Sequence, residues 1–364
     1  MKQFLPGATI GILGCGQLGR MIAVSAAMMG YKTIAYGPRR EGEIAPCEQV
    51  CSDIIYAEYD DYEKLQEFAA SCNLITFEFE NIPAETVKYL EKITTVRPGH
   101  DAIFLTQHRL RERTFLATSG FPTHRFWHVK SPEDIRKAFK QDMKKGVLKT
   151  AYFGYDGKGQ KIINTEAEAD DIWKELKFSE AVLEEFVPFI KEISVVLART
   201  INKETKEIEV FPIGENTHTS GILIKSEIPA RLEDKTRQKA VDVAKAIAEK
   251  LKYIGVMAVE FFVLPNGDVF VNEIAPRVHN SGHWTLDGCS VSQFEQHIRA
   301  ICGLPLAAAR LLTPTVMDNI IGDDIKKVPD YMQNKNANIY LYGKTKVKAG
   351  RKLGHVNIIS YSNY

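Results

Sequence analysis

Short apolar runs rich in β-branched residues alternate with stretches of helical periodicity through the first hundred residues. Thr9 to Leu13, Lys32 to Tyr36 and Leu74 to Phe79 read as strands, and Gln17 to Met29, Asp60 to Ser71 and Ala84 to Glu91 as helices. Strands alternating with helices predict a parallel α/β domain of Rossmann-like type, here residues 1–105. From Asp101 one polar-apolar helix is expected to run to about Ser119, after which the rhythm changes. Strands then follow one another through glycine-rich or hairpin turns: Gly146 to Lys149, Lys161 to Ile163, Ala181 to Val187, Glu192 to Ile201, Glu207 to Ile213 and a pair around Asn266-Gly267. Helices are interposed near Pro132 to Lys140, Glu166 to Lys177 and Leu232 to Leu251. This α+β pattern is expected to fill residues 106–300, in two parts at about 120–187 and 188–300. A helix from Ser292 to Cys302 and short strands such as Asn338 to Tyr342 and His355 to Ile359 predict a small β domain over 301–364. No internal repeat or long flexible linker interrupts the chain, so its domains are expected to pack together.

Composition narrows the partners. At roughly 150 residues per domain, 364 residues suit two or three domains. The 47 basic and 46 acidic side chains leave a net charge of +1, so no broad field exists to hold a polyanion. Nonspecific nucleic-acid binding is disfavoured, and any bound anion must be gripped by a local cluster. No apolar run approaches the ~18 residues that span a bilayer, and Met1 to Ile10 lacks a signal-peptide layout. A soluble, cytoplasmic protein without a membrane partner is expected. Cys15, Cys47, Cys51, Cys72, Cys289 and Cys302 form no C-x-x-C pair, which predicts reduced, mostly buried thiols.

Gly14-Cys15-Gly16-Gln17-Leu18-Gly19 lies between a strand and a helix, where glycines let a backbone approach a phosphate. A nicotinamide site also wants an acid at the end of the second strand, but that strand ends Tyr36-Gly37-Pro38-Arg39-Arg40. Two arginines keep an NADP-dependent oxidoreductase open, beside a plain tight turn or a site for another phosphate. Lys149 ends a strand and precedes Gly154-Tyr155-Asp156-Gly157-Lys158-Gly159-Gln160, with a further strand behind it. No helix follows and Lys158 precedes Gly159, so this is no Walker A loop. A glycine loop between strands can still fold over a triphosphate, with Lys149 adding charge from the sheet. An ordinary glycine-rich turn is the alternative.

Val259 to Glu273 is the most informative stretch. If Asn266-Gly267 forms a two-residue hairpin loop, counting back along both strands sets Glu260 opposite Glu273. Cross-strand Cβ atoms lie ~5 Å apart, and two carboxylates so placed repel. A divalent cation is the simplest remedy, and Asn272 adds a hard oxygen. Magnesium held by two carboxylates carries phosphates on its other positions, which points to a nucleoside triphosphate. A one-residue change in the loop would break this register. Arg277, His279, Asn280 and Ser281 follow in a donor-rich loop able to clamp an oxyanion, while Trp284 reads as a packing residue. Glu184 and Glu185 alternate across a strand end, so at most one need face a site, and an edge strand there could bind adenine beside Phe186 or Val187. Lys344, Lys346, Lys348, Arg351 and Lys352 form a basic run, either a solvated face or an anion site.

Together, Lys149, the 154–160 loop, Glu184 to Val187, Glu192, Glu260 and Asn272-Glu273 resemble the ATP-grasp superfamily. Gly14 to Met21, Phe77-Glu78-Phe79-Glu80-Asn81, Gly154 to Gln160, Asn272 to Arg277 and His279 to Thr285 narrow the resemblance to its N5-carboxyaminoimidazole ribonucleotide synthetases, over residues 8 to about 357. That family joins bicarbonate to the amino group of 5-aminoimidazole ribonucleotide, using ATP and Mg2+, through carboxyphosphate. The resemblance implies an ATP-grasp fold with an N-terminal Rossmann-like domain and a small C-terminal β domain. It implies that ATP is held by Arg109, Lys149, Gly154, Tyr155, Asp156, Gly157, Lys158, Gly159, Gln160, Glu184, Glu185, Phe186, Val187, Glu192, Asn272 and Glu273, with Glu215 or His218. Glu260 and Glu273 would bind magnesium. Tyr155 and Asp156 would face the aminoimidazole, and Arg277, His279 and Asn280 the carboxyphosphate. Gln17, Leu18 and Glu78 would line the substrate side, with Arg277, Lys344, Arg351 and Lys352 for the ribose phosphate, and the glycine motif would bind no dinucleotide. A homodimer is the further expectation. Rivals are a formate-using phosphoribosylglycinamide transformylase, a biotin carboxylase for which the chain is short, and a non-catalytic nucleotide sensor.

Overall fold

The structure, a computed structural model, describes residues 1–152, 159–176 and 179–360. Gly154, Tyr155, Asp156, Gly157 and Lys158 of the glycine loop lie outside the described residues.

Four parallel strands, β1 (Thr9–Leu13), β2 (Lys32–Gly37), β3 (Asp53–Tyr56) and β4 (Leu74–Phe77), form the first sheet in the order β3-β2-β1-β4. Helices α1 (Gln17–Met28), α2 (Tyr62–Ala70) and α3 (Ala84–Leu90) accompany it. Ile10, Ile12, Leu74 and Phe77 are fully buried, as a sheet covered on both faces requires. β4 ends two residues earlier than its apolar pattern suggests, so Glu78 leaves the strand at its carboxyl end. The carboxyl ends of β1, β2 and β4 thus open on one side, where open α/β sheets place their ligands.

The single helix expected from Asp101 is two: α4 (His100–Thr106) and α5 (Arg109–Thr118). His108 between them is extended (φ −126°, ψ 108°) and its Nδ1 accepts the Leu110 N–H, capping α5. The Arg109 N–H donates to the Ala151 carbonyl at 2.9 Å, so a distant strand end holds the break open. No proline or glycine marks it in the sequence.

β5 (Phe126–Val129), α6 (Pro132–Lys140), β6 (Gly146–Thr150), β7 (Gln160–Ile163), α7 (Ala169–Leu176) and β8 (Ala181–Glu185) build a small antiparallel sheet ordered β5-β8-β6-β7. β8 is therefore interior, not the edge strand considered for adenine binding.

The rest forms one nine-stranded sheet: β9 (Lys191–Asn202), β10 (Thr205–Val210), β11 (Gly214–Thr219), β12 (Ile222–Ile228), β13 (Gly255–Val263), β14 (Val269–Ala275), β15 (Thr315–Ile321), β16 (Ala337–Leu341) and β17 (Lys352–Ile359). Its order is β14-β13-β9-β11-β12-β15-β17-β16, with β10 also paired to β9. The C-terminal strands join through β12 and β15, Ile228 opposite Thr315. Helix α8 (Asp234–Lys250) covers one face, its Ala240, Ala244 and Ala248 small enough to approach Leu197 and Val259. After the short α9 (Thr285–Gly288), α10 (Gln293–Ile301) covers the other face. There Phe294 and Ile298 join Trp284, Val256 and Ala258 with Ile22 and Ala26 of α1 in one core. That shared core fixes the first sheet against the large one. No helix among the described residues is long and apolar enough to cross a membrane.

Candidate active site

The glycine turn after β1 already holds an acidic side chain of the same chain. Gly16 N–H and Gly19 N–H, the latter at 2.6 Å, donate to the Glu78 carboxylate, which fills the N-terminus of α1. A Cβ on Gly14 or Gly16 would overlap Glu78, and Gly14 has φ +106°. The glycines admit the chain's own carboxylate rather than a pyrophosphate. Arg39 lies over the Tyr56 ring, 5.4 Å from its centroid. This overturns the dinucleotide reading.

A cavity of about 890 Å3 opens in front of Glu78. Gln17, Leu18 and Glu78 line it from the first sheet, Lys344, Arg351 and Lys352 from the C-terminal segment, and Arg277, His279 and Asn280 from the loop after β14. It continues past Arg109 and Glu112 to Glu273. Lys344 donates to the Lys352 carbonyl at 2.8 Å, and burial followed by the Arg351 charge pulls its pKa down to about 8. Arg351 pairs with Glu43 at 2.6 Å. Arg277 is not the free clamp expected, because Glu80 grips its Nε and Nη2. Asn280 exchanges two amide hydrogen bonds with Asn319, at 2.9 and 2.8 Å. Burial, then the Arg277 charge, keeps His279 neutral.

At the far end stands the carboxylate pair. The β13–β14 hairpin has a three-residue loop, closed by Gly267 N–H to Leu264 O and Leu264 N–H to Asp268 O, with Gly267 at φ +79°. This corrects the two-residue loop and shifts the near half by one position, Val263 facing Val269 and Phe261 facing Val271. A bulge between Glu260 and Phe261 then restores Glu260 opposite Glu273, leaving Asn272 as the extra residue on β14. Burial, then the Glu273 charge, pushes Glu260 up to about 7. Ser194 Oγ donates to Glu260 at 3.3 Å, and Asn216 and Ser226 continue the polar row across the sheet. Two facing carboxylates are hard oxygen donors of the kind magnesium takes.

Beside the pair, Lys149 on β6 and Glu184 on β8 meet. Register sets Lys149 opposite Val182 and Glu184 opposite Val147, which puts the two on one face, diagonally adjacent. Lys149 Nζ lies 2.6 Å from Glu184, Arg113 Nε 2.8 Å, His124 3.0 Å and Arg109 4.0 Å. Burial alone would raise the Glu184 pKa; Arg113 and Lys149 overcome it and hold the group well below the carboxylate range. Arg109 Nε is buried with no hydrogen-bond partner among the described residues.

Residues 7–107 match the ribonucleotide synthetase preATP-grasp domain, 114–294 the ATP-grasp domain and 315–363 the phosphoribosylaminoimidazole carboxylase C-terminal domain. The N5-carboxyaminoimidazole ribonucleotide synthase of Bacillus subtilis is 42% identical over 362 residues, 98% of this chain and 93% of its own. The chain belongs to the N5-carboxyaminoimidazole ribonucleotide synthases. A crystal structure of such a synthetase in complex with ADP superposes with a TM-score of 0.94 at 42% identity, covering 99% of this chain and 94% of the other. The Aspergillus clavatus synthase, in complex with ADP and 5-aminoimidazole ribonucleotide, gives 0.88 at 27% identity, covering 97% and 94%.

Within this synthase, other expected ATP residues take separate positions. Glu185 points away from Glu184 and pairs with exposed Arg125 at 2.8 Å. Phe186 lies under Lys145, and Val187 is buried just beyond β8. Gly159 closes the loop's base onto Thr150, and Gln160 stands opposite Lys149. Glu192 contacts His218 at 3.2 Å, whereas Glu215 turns to Lys191 at 2.7 Å. Sequence reasoning missed Glu43, Glu80, Glu112, Arg113 and His124. Glu80 lies inside the Phe77 to Asn81 motif beside Glu78 and carries no signal of its own there; the charged face of α5 reads in isolation as solvated.

Proposed function

We propose that this synthase carboxylates 5-aminoimidazole ribonucleotide at a site running from Glu78 to Glu273, with ATP as the energy source. One observation carries the site assignment: a single cavity joins the basic C-terminal residues to the carboxylate Glu273. Bicarbonate oxygen attacks the γ-phosphorus and expels ADP, giving carboxyphosphate; the substrate amine then attacks its carbonyl carbon, releases phosphate and loses a proton. Arg109 and Lys149 neutralise the triphosphate, and Glu184 orients Lys149. Glu260 and Glu273 would hold magnesium with Asn272 beside them, and the ion would supply charge neutralisation at the phosphates. Arg277 offers its remaining N–H groups to carboxyphosphate, while neutral His279 offers a hydrogen bond without adding charge. Lys344, Arg351 and Lys352 take the ribose phosphate. Enclosure between the sheets limits hydrolysis of carboxyphosphate.

ADP release should rise when bicarbonate and 5-aminoimidazole ribonucleotide are added together; no rise overturns the function. The homodimer belongs to this proposal, and a monomeric sedimentation mass counts against it.

Lys344 gives a pH prediction. It is charged below its pKa of about 8 and loses that charge above it. Log kcat/KM for the ribonucleotide should therefore fall above about pH 8, because that ratio reports the free enzyme. Lys344→Met should remove this break and leave the profile for ATP unchanged. A break that survives the substitution assigns it to another group.

A further inference from the structure

We propose that Arg113 is a positioning residue that sets the phosphate lysine and the metal-side strand in register with each other. This rests on the roles given above to Lys149 and Glu273. Arg113 is fully buried on α5, and its hydrogen bonds run to Glu184, Thr123 and the carbonyls of β14 rather than to Lys149 or the Glu273 carboxylate. Its Nε donates to Glu184 Oε1 at 2.8 Å, and Glu184 Oε2 lies 2.6 Å from Lys149 Nζ. Its Nη1 donates to the Val271 carbonyl at 2.8 Å and to Thr123 Oγ1 at 3.2 Å, and its Nη2 to the Asn272 carbonyl.

The two carbonyls explain why a guanidinium is needed. β14 is the edge of the nine-stranded sheet, and its ladder is broken at Asn272, the bulged residue beside Glu273. An edge strand with a bulge leaves backbone groups without sheet partners. Here α5 and the residues after it act as the missing neighbour: Glu112 accepts the Ile274 N–H at 3.4 Å, Pro122 O accepts the Val271 N–H at 2.9 Å, and Arg113 serves the carbonyls. The same guanidinium reaches across to β8 of the small sheet. One rigid fork thus ties the bulge beside Glu273 to the carboxylate paired with Lys149. A lysine presents a point charge on a flexible stem and cannot hold both directions at once.

The test compares Arg113→Lys and Arg113→Met with the unaltered full-length chain. It measures ribonucleotide-dependent ADP release against magnesium, ATP and ribonucleotide in turn, alongside thermal melting. Loss of a partner that orients a ligating group typically costs roughly 10- to 100-fold in affinity or activity. We expect KM for ATP and the magnesium concentration for half-activity to rise together by such a factor in Arg113→Lys, with KM for the ribonucleotide within about twofold. Arg113→Met should do the same or fail to fold, in which case the lysine variant decides. Lowered melting with unchanged ATP and magnesium dependence would make Arg113 merely structural and sink the proposal, as would a shift in only one of the two. Absence of ribonucleotide-dependent ADP release in the unaltered chain would overturn the functional reading, and this proposal with it.

Discussion

Glu273→Gln is expected to lower turnover on the order of a thousandfold, with no recovery in excess magnesium. The substitution keeps shape and removes one charge. Its effect cannot be blamed on protonation of Glu260, because the Glu273 charge is part of what pushes that carboxyl up to about 7. Removing it lowers the Glu260 pKa, while burial, the larger cause, still holds that carboxyl up. The Glu260 carboxyl still sits opposite residue 273 in the hairpin. If the pair serves only as buried polar packing, the variant should gain stability through lost repulsion and keep its activity. Steady-state turnover across a magnesium series, with melting measured in parallel, separates the two outcomes, and near-normal turnover would remove the metal role.

Lys149→Met should cost about a hundredfold or more in kcat/KM for ATP while leaving KM for the ribonucleotide within about twofold. The fold tolerates this change better than most losses of a buried charge, because Glu184 keeps Arg113 at 2.8 Å and His124 at 3.0 Å. Its carboxylate is not left unpaired, which is the usual source of severe destabilisation. Equal losses for both substrates would place Lys149 in general packing rather than at the triphosphate. A drop in melting temperature with intact ATP kinetics would say the same.

The alternating rhythm of the first hundred residues was legible because a parallel sheet buries whole strands and its helices keep one apolar face. The carboxylate pair was legible too, but through two irregularities that cancel. Pro265 enlarges the hairpin loop by one residue, and the bulge at Asn272 removes the shift before it reaches Glu260. Nothing local announces a bulge, so counting from a two-residue loop pairs Glu260 with Glu273 through a register that the near half of the hairpin does not have. The break before Arg109 was illegible for a different reason. It is held by the Ala151 carbonyl, a contact made only once the small sheet is folded. Glu80 and Arg113 were missed because a charged side chain in a loop or on a helix defaults to solvent. Only the tertiary structure shows that Arg277 and Glu184 wait for them. The interior position of β8 likewise depends on β5, a strand more than fifty residues earlier.

Glu78 has a consequence for the cell's metabolite pool. The helix terminus that would welcome a pyrophosphate is occupied by a covalently tethered carboxyl group, whose effective concentration a free dinucleotide cannot match. Abundant nicotinamide cofactors are thus excluded from competing at this turn, although it carries every glycine such a competitor would look for.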